Sequence, residues 1–210
     1  MTTGLIPREF LGRPAQEVAP DLLGCVFEHE TADGLVAVAL TEVEAYAGEV
    51  DPASHAYRGR TVRNAVMFGP AGHAYVYFTY GMHFCVNVVC MPPGTASAVL
   101  LRAGQVIAGE ELARARRGPA STPRDLARGP ARLCQALGID RRLDGADLCD
   151  EASRLRLLPS PASPMPWHSG PRVGVREGAD VPWRFWLDGA ATVSAYRPYV
   201  RRRRAPEPGE

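Results

Sequence analysis

Acidic and aromatic side chains are spaced for chemistry in one part of the chain, residues 41–87, which also holds histidines and arginines. Glu42, Glu44 and Tyr46 stand at every second position, so a regular strand would direct all three to one face. A carboxylate beside aromatic rings suggests a general base that acts on a flat ring. Spacing alone leaves Glu42 and Glu44 as equal candidates for that base. The alternative is an exposed pair of acids at a strand edge, with no role in chemistry.

A buried carboxylate needs a hydrogen-bonding or charged partner, and Arg102 and His55 are the candidates in this chain. Glu42, Glu44, His55 and His73 could instead be the metal ligands of a hydrolase, but their spacing matches no HExxH-like pattern. The sequence also contains no GxGxxG and no GxxxxGK[ST] motif, which argues against a bound nucleotide cofactor. We therefore expect neither a metal nor an organic cofactor.

The chain has the size and apolar content of one ordinary domain, with 210 residues of which 46% are hydrophobic. We expect a single domain over residues 1–200 and a disordered arginine-rich tail, RRRRAPEPGE, over residues 201–210. The five cysteines form no CxxC pair, which favours reduced, buried thiols over disulfides or a zinc site. Without a secretion signal or a run of ~18 apolar residues, the sequence predicts a cytoplasmic protein with no membrane contact.

Arginine supplies all the positive side-chain charge, because the 24 basic residues include no lysine. The net charge is only +1, yet eight arginines lie between residues 114 and 142 against two aspartates. Such a patch could follow the phosphates of a nucleic acid, and a solvated helix face is the alternative. Without lysine, a Schiff base would require the terminal amine of Met1, so hydrolysis by water is the simpler expectation.

Short strands and helices are predicted around these side chains. Apolar alternation and turn residues predict strands over residues 25–29, 35–46, 74–79, 83–89, 98–103, 172–175, 183–187 and 193–194. Helices are predicted over residues 10–23, 105–117 and 125–137, with interruptions at Arg13-Pro14 and Gly129-Pro130 and a second start at Pro20-Asp21. Residues 54–67 predict a loop or short helix, and the five prolines of residues 158–171 predict a surface loop.

Tyr80 lies at the predicted tip of the hairpin formed by residues 74–79 and 83–89. A large ring is hard to bury at a turn, so this side chain is suited to contact another surface. Enzymes that act on a base inside a duplex must extrude that base, and an inserted side chain can fill the space it leaves. Tyr75 and Tyr77 share one face of the hairpin, and packing within the sheet is the alternative explanation for both.

Several sequence strings then resemble a known family, the alkyladenine (3-methyladenine) DNA glycosylases of the mammalian type, which also have many bacterial members. The strings are VEAYAG at 43–48, a histidine eleven residues past the glutamate, RNAVMFGPAGHAYVYFTYGMHFCVNV at 63–88, AVLLRA at 98–103, GPARLCQALGI at 129–139 and RVGV at 172–175. They run in family order across residues 4–197. The sequence departs from the family around His83 and around residues 91–95.

The resemblance implies an α+β single domain with a curved antiparallel β-sheet core, surrounding helices and a protruding DNA-inserting β-hairpin, similar to the C-terminal domain of formyltransferase. It implies a monofunctional DNA repair glycosylase that flips out alkylated or deaminated purines from double-stranded DNA: 3-methyladenine, 7-methylguanine, hypoxanthine and ethenoadenine. Hydrolysis of the N-glycosidic bond by a glutamate-activated water would leave an abasic site. We expect a monomer on the bacterial nucleoid, without an obligate protein partner.

The alternative is a non-catalytic nucleic-acid or lesion-recognition module of the same fold. The presence of both Glu44 and Arg102 argues against it.

The resemblance also assigns roles to individual residues. Glu44 matches the water-activating glutamate, and Arg102 matches the arginine that positions this glutamate and its water. Tyr80 matches the intercalating tyrosine, and Met82 lies beside it at the hairpin tip. The base pocket would be formed by Tyr46, His55 and Tyr77 around the flipped base, Asn87 against guanine, Met67, Ala98 and Leu100 in the wall, and the carbonyl of Ala53. Phosphate contacts are expected from Arg60, Arg63 and Arg132.

Overall fold

Strands dominate the part of the chain that the computed structural model describes, which is residues 4–162 and 165–200. One antiparallel sheet contains β1 Val26–Thr31, β2 Gly34–Tyr46, β3 Ala74–Thr79, β4 His83–Val89, β5 Ala98–Ala108, β6 Leu155–Leu158, β7 Trp167–Gly170 and β8 Arg184–Leu187. The helices are α1 Arg8–Leu11, α2 Ala15–Asp21, α3 Glu110–Arg117 and α4 Pro130–Leu137, with 3₁₀ turns at Gly48–Val50, Ala65–Phe68, Pro123–Asp125 and Arg141–Leu143.

Strand β2 is the centre of the sheet. The strand order is β3-β4-β5-β2-β1-β6, and β8 joins the far end of β2 and carries β7 on its other side. β2 therefore pairs with β5 along most of its length, with β1 over its first half, and with β8 at residues 42–44. Strands flank β2 on both sides at residues 42–44, and the side chains of Glu42 and Glu44 are fully buried there.

Apolar side chains between the sheet and the helices form the main core. Helices α2 and α4 pack against β2, β4 and β5, and their buried side chains belong to the same apolar cluster as those of the sheet. Helix α4 begins with Pro130, whose missing N–H has no partner to lose at this position, and ends at Leu137, where Gly138 caps it with a φ of 70°. The described residues therefore form an α+β single domain built on a curved antiparallel sheet, as the sequence predicts. The likeness to the formyltransferase domain stays a prediction.

The two hairpins confirm the local reading of the sequence. β1 and β2 pair across the turn that starts after Thr31, and β3 and β4 have the predicted bounds. The predicted break at Gly129-Pro130 is the start of α4. The predicted start at Pro20-Asp21 is wrong, because α2 begins after Pro14 and runs through Pro20 to its end.

Four further predictions of local structure, one helical, one of a loop and two of strands, are also wrong, and long-range pairing explains two of them. Residues 105–108 continue β5, because Val106 and Ala108 pair with β2; only the segment from Glu110 is helical. The proline-rich segment 158–171 contains β7, which forms ladder pairs with β8. Residues 172–175 and 193–194 form no strand, and both segments instead direct hydrogen-bonding groups at the glutamates of β2.

The five cysteines are free thiols, four of them buried, in agreement with the expectation from their spacing. In the described ranges, no helix has both the length and the apolar character needed to cross a membrane. The predicted disordered tail, residues 201–210, lies outside the described residues, so its prediction stands as made.

Candidate active site

An irregularity in the sheet brings the two glutamates of β2 next to Arg102 of β5. The ladder between β2 and β5 pairs Leu40 with Gly104 and Glu44 with Leu100, and its register shifts twice in between. Such bulges bend a strand and change the direction of its side chains. Here the shifts place the guanidinium of Arg102 between the carboxylates of Glu42 and Glu44, with its Nε 2.7 Å from Glu42 Oε1 and its Nη1 3.2 Å from Glu44 Oε2.

Glu44 is fully buried and is held by three donors. Oε2 accepts from Arg102 and from the hydroxyl of Tyr46 at 2.8 Å, and Oε1 accepts from the main-chain N–H of Val173 at 2.7 Å. Burial, followed by the charge of Glu44, raises the pKa of Tyr46 well above its ordinary value, so its hydroxyl stays protonated and donates. All three partners line an open pocket, and the carboxylate therefore lies directly behind the pocket surface.

Glu42 is held by a different set of donors from Glu44. Its Oε1 accepts from Arg102, from Arg184 Nε at 2.8 Å and from Ser194 Oγ at 2.8 Å, and its Oε2 accepts from the Ser194 N–H at 2.6 Å. Burial opposes ionisation, but the charges of Arg102 and Arg184 hold the pKa of Glu42 below its ordinary value. With four donors around it, of which only Arg102 lines the pocket, Glu42 is less suited than Glu44 to take a proton from water.

The pocket has a volume of about 990 Å³, which suits a small aromatic ligand. Its lining includes eight residues proposed from sequence for the catalytic pair or the base pocket: Tyr46, Ala53, His55, Met67, Tyr77, Asn87, Leu100 and Arg102. Ala98, the remaining residue proposed for the base pocket, does not line it. Its side chain is fully buried in a small apolar cluster behind Met67 and Tyr75, which do line the pocket. Gly48 has a φ of 64°, and a side chain there would collide with the carbonyl of Ala96. The collision would disturb the 3₁₀ turn Gly48–Val50, which precedes the pocket-lining residues of segment 52–58.

Two of the predicted pocket rings lie side by side. The His55 and Tyr77 rings meet edge to face with centroids 4.5 Å apart, and Tyr75 stacks on Tyr77 at 5.6 Å. His55 Nδ1 lies 3.1 Å from the Tyr75 hydroxyl, and partial burial of the ring, followed by the charge of Arg63, lowers the pKa of His55. His55 and Tyr77 therefore form one aromatic wall, to which Tyr46 is not joined by any ring contact in the described residues.

Asn87 is a buried residue of the pocket lining, and its position is set by strand pairing. It faces Tyr75 on β3 and Leu100 on β5, and its amide nitrogen donates to the Tyr75 carbonyl at 3.2 Å. Because this bond fixes the side chain in a buried place, Asn87 can act on pocket shape.

The hairpin tip carries two exposed apolar side chains. Tyr80 is 86% exposed and Met82 is 69% exposed. Tyr80 and Gly81 have φ values of 52° and 69°, and the Met82 N–H donates to the Thr79 carbonyl at 3.2 Å, as in a type I′ turn. A left-handed tyrosine is strained compared with glycine, and Tyr80 also borders the pocket. The ring is thus held outward at the pocket edge.

The arginines proposed to contact phosphate differ in their surroundings. Arg60 is exposed, Arg63 lies over the Tyr77 ring at 6.0 Å, and Arg132 forms an ion pair of 3.3 Å with Asp125. Arg58, which the sequence did not single out, lines the pocket. His73 contacts Arg8 rather than the glutamates, and nowhere in residues 4–162 and 165–200 do three or more metal-binding side chains converge.

Comparison with known proteins shows the family of this chain. A sequence model of the methylpurine-DNA glycosylase family matches residues 9–191. The chain belongs to this family.

Bacterial relatives match this glycosylase over nearly their whole length. A protein of Streptomyces avermitilis is 57% identical over 95% of each chain. One of Leifsonia xyli is 56% identical over 86% of this chain and 87% of its own, and one of Burkholderia lata is 50% identical over 94% of each chain. All three carry the name "Putative 3-methyladenine DNA glycosylase". The chain is therefore a DNA glycosylase, a hydrolase of DNA repair that binds DNA as its substrate.

The glycosylase site also contains residues that sequence analysis missed, and most follow position 170. Arg172 is fully buried and forms a bidentate ion pair with Asp51, at 2.5 and 2.9 Å. Its guanidinium also lies over the rings of Tyr46 and Trp183, at 4.8 and 5.3 Å. The RVGV string marked this segment, but only as a weak family match, and no local pattern marked Arg184 or Ser194 as part of the site.

The last described residues close one side of the glycosylase pocket. The Arg197 carbonyl accepts from the Gly174 N–H at 2.9 Å, and residues 197–200 belong to the lining. The site is therefore built from the separate stretches 42–67, 75–87, 100–102, 172–177 and 194–200, together with Pro130 and Arg184.

Proposed function

We propose that this glycosylase is monofunctional and hydrolyses the N-glycosidic bond of alkylated or deaminated purines in double-stranded DNA. The proposed substrates are 3-methyladenine, 7-methylguanine, hypoxanthine and ethenoadenine. The observation that carries the proposal is the Glu44 carboxylate, which three donors hold directly behind a pocket with aromatic walls. The exposed ring of Tyr80 lies at the edge of the same pocket.

Glu44 would act as the general base. It takes a proton from a water molecule while the oxygen of that water attacks C1′ of the flipped nucleotide, and the bonding electrons of the N-glycosidic bond leave with the purine. The deoxyribose is left with a hydroxyl at C1′, which is an abasic site. Arg102 donates to the carboxylate at 3.2 Å and holds it in place, and the carboxylate in turn stabilises positive charge that develops on the sugar.

The pocket walls would favour damaged bases. A purine alkylated on the ring carries positive charge, and the faces of Tyr46 and Tyr77 attract a cation by roughly 1–2 kcal/mol each where water is excluded. Extrusion of a base costs a few kcal/mol and costs least for a damaged or mispaired base. Tyr80 would fill the gap in the duplex, with Met82 beside it.

The composition of the chain supports monofunctional chemistry. Without lysine, only the terminal amine of Met1 could form a Schiff base with the opened sugar, so hydrolysis that releases the base without cutting the strand is the simpler chemistry. The cytoplasmic, nucleoid-associated location and the absence of an obligate protein partner stay predictions.

The test is single-turnover base release from a duplex that contains one hypoxanthine or one ethenoadenine, with a chelator present. Strand breakage is scored before and after alkali. Breakage only after alkali is expected, since alkali cleaves abasic sites. Breakage before alkali would contradict monofunctional chemistry. Tight binding without release from these lesions or from methylated DNA would instead favour a lesion-recognition module.

A further inference from the structure

We propose that Glu42 is a positioning residue for base release: it holds Arg102 against Glu44, and Arg184 balances its charge. The proposal rests on the proposed function, in which ionised Glu44 activates water. It goes beyond that function because Glu42 touches neither the pocket nor the reacting atoms.

The first support is the geometry of Arg102. Its Nε donates to Glu42 at 2.7 Å, and its Nη1 donates to Glu44 at 3.2 Å, so one planar guanidinium bridges the two carboxylates. The bond to Glu42 is the shorter one. Because the donors of a guanidinium have a fixed geometry, a carboxylate that fixes Nε also fixes the direction of Nη1.

The second support is the charge balance of a buried cluster. Glu42, Glu44, Arg102 and Arg184 have side-chain exposures of 0, 0, 7 and 5%. Two negative and two positive charges are therefore enclosed together, with no net charge. Removal of one charge from such a cluster leaves another uncompensated in a region of low polarity, which alters how readily the remaining groups bind protons.

The third support is that Glu42 is itself rigidly held. Ser194 donates to it through both its N–H and its hydroxyl, at 2.6 and 2.8 Å, and Arg184 Nε donates at 2.8 Å. Arg184 is also the partner of Glu44 across the β2–β8 ladder. Arg184 and Ser194 thus hold the carboxylate of Glu42 in one position. The carboxylate in turn holds Arg102 through the bond to its Nε.

The charged and titratable groups that face Glu44 decide the expected pH effects: Arg102, Arg184, Glu42, Arg172, Tyr46, Tyr77 and Cys85. In Glu42→Gln, a negative charge is lost, so the buried cluster takes up a proton less readily. The acidic limb of the pH–rate profile should therefore move to lower pH. In Arg184→Gln, a positive charge is lost, and the limb should move to higher pH.

The experiment measures single-turnover release of hypoxanthine as a function of pH for the full-length chain. Shifts of about one pH unit in opposite directions are expected for the two variants, with a rate at neutral pH reduced about 10-fold or more in Glu42→Gln. The double variant removes both charges, so its acidic limb should return to the wild-type position. Glu28→Gln, which removes a carboxylate from the Glu28–Arg156 pair between β1 and β6, is the control and should change neither quantity.

Glu42→Asp keeps the charge but withdraws the carboxylate from Arg102, and it provides a second test if a neutral variant fails to fold. It should lower the rate about 10-fold without moving the acidic limb. Folded variants with wild-type rates and unmoved limbs would overturn the proposal and leave Glu42 with a purely structural role. Failure of the proposed function is distinguishable, because the wild-type chain would then release no base.

Discussion

Glu44 Oε1 accepts a hydrogen bond of 2.7 Å from the main-chain N–H of Val173, which lies 129 positions later in the chain. This bond leads from strand β2 to the loop that lines the pocket. It distinguishes Glu44 from Glu42, whose donors come from β5, β8 and Ser194. The two glutamates share the period-two pattern of strand β2 in the sequence, but they have different hydrogen-bond partners in the fold.

Replacement of Glu44 by glutamine should abolish base release and leave lesion binding intact. The amide keeps the shape of the side chain but cannot accept a proton from water, so the single-turnover rate should fall about 10²- to 10⁴-fold. The dissociation constant for a damaged duplex should stay within a few fold. Glu49→Gln, at an exposed acid in the turn after β2, is the control. Unchanged release in Glu44→Gln would show that another group activates the water.

Removal of the Tyr80 ring should weaken lesion capture more than binding to undamaged DNA. Loss of stacking in the duplex should cost about 10-fold in affinity for a lesion duplex in Tyr80→Ala. Tyr80→Gly should lose capture equally, while its free energy of unfolding stays the same or rises, because glycine adopts a φ of 52° without strain. Val62→Ala, at a fully exposed side chain, is the control. Equal losses on damaged and undamaged DNA would mean that the ring has no lesion-specific role.

Replacement of Asn87 by serine should relax the exclusion of guanine. The smaller side chain leaves more room in the pocket for the exocyclic amino group, so release of guanine from undamaged duplex should rise about 10-fold. Release of hypoxanthine, which lacks that group, provides the comparison and should change little. A guanine rate that stays at the wild-type value would remove the steric explanation.

Loss of the Asp51 charge should destabilise the fold strongly. Asp51→Asn leaves the fully buried Arg172 without its ion pair, and the free energy of unfolding should fall by about 3–5 kcal/mol in urea titrations. Asp21→Asn breaks the exposed pair with Arg13 and should cost less than about 1 kcal/mol. Similar losses in the two variants would show that the Arg172 pair has no special weight in stability.

Local patterns in the sequence determined the elements and the residue types of the site. The bounds of β3 and β4, the tip position of Tyr80 and the break before α4 follow from alternation, turn residues and proline, because these act through the backbone of neighbouring residues. The family strings likewise placed Glu44, Arg102 and most pocket residues at positions that the structure brings together.

Tertiary structure decided what local patterns left open. Residues 105–108 have helical character in sequence, but pairing with β2 makes them part of β5. The period of two could not distinguish Glu42 from Glu44, because it reports only the direction of a side chain on its strand. Their difference arises from donors at Val173, Arg184 and Ser194, which only the folded chain brings to β2. Burial and hydrogen-bond satisfaction depend on contacts between distant residues, and a local pattern carries no information about them.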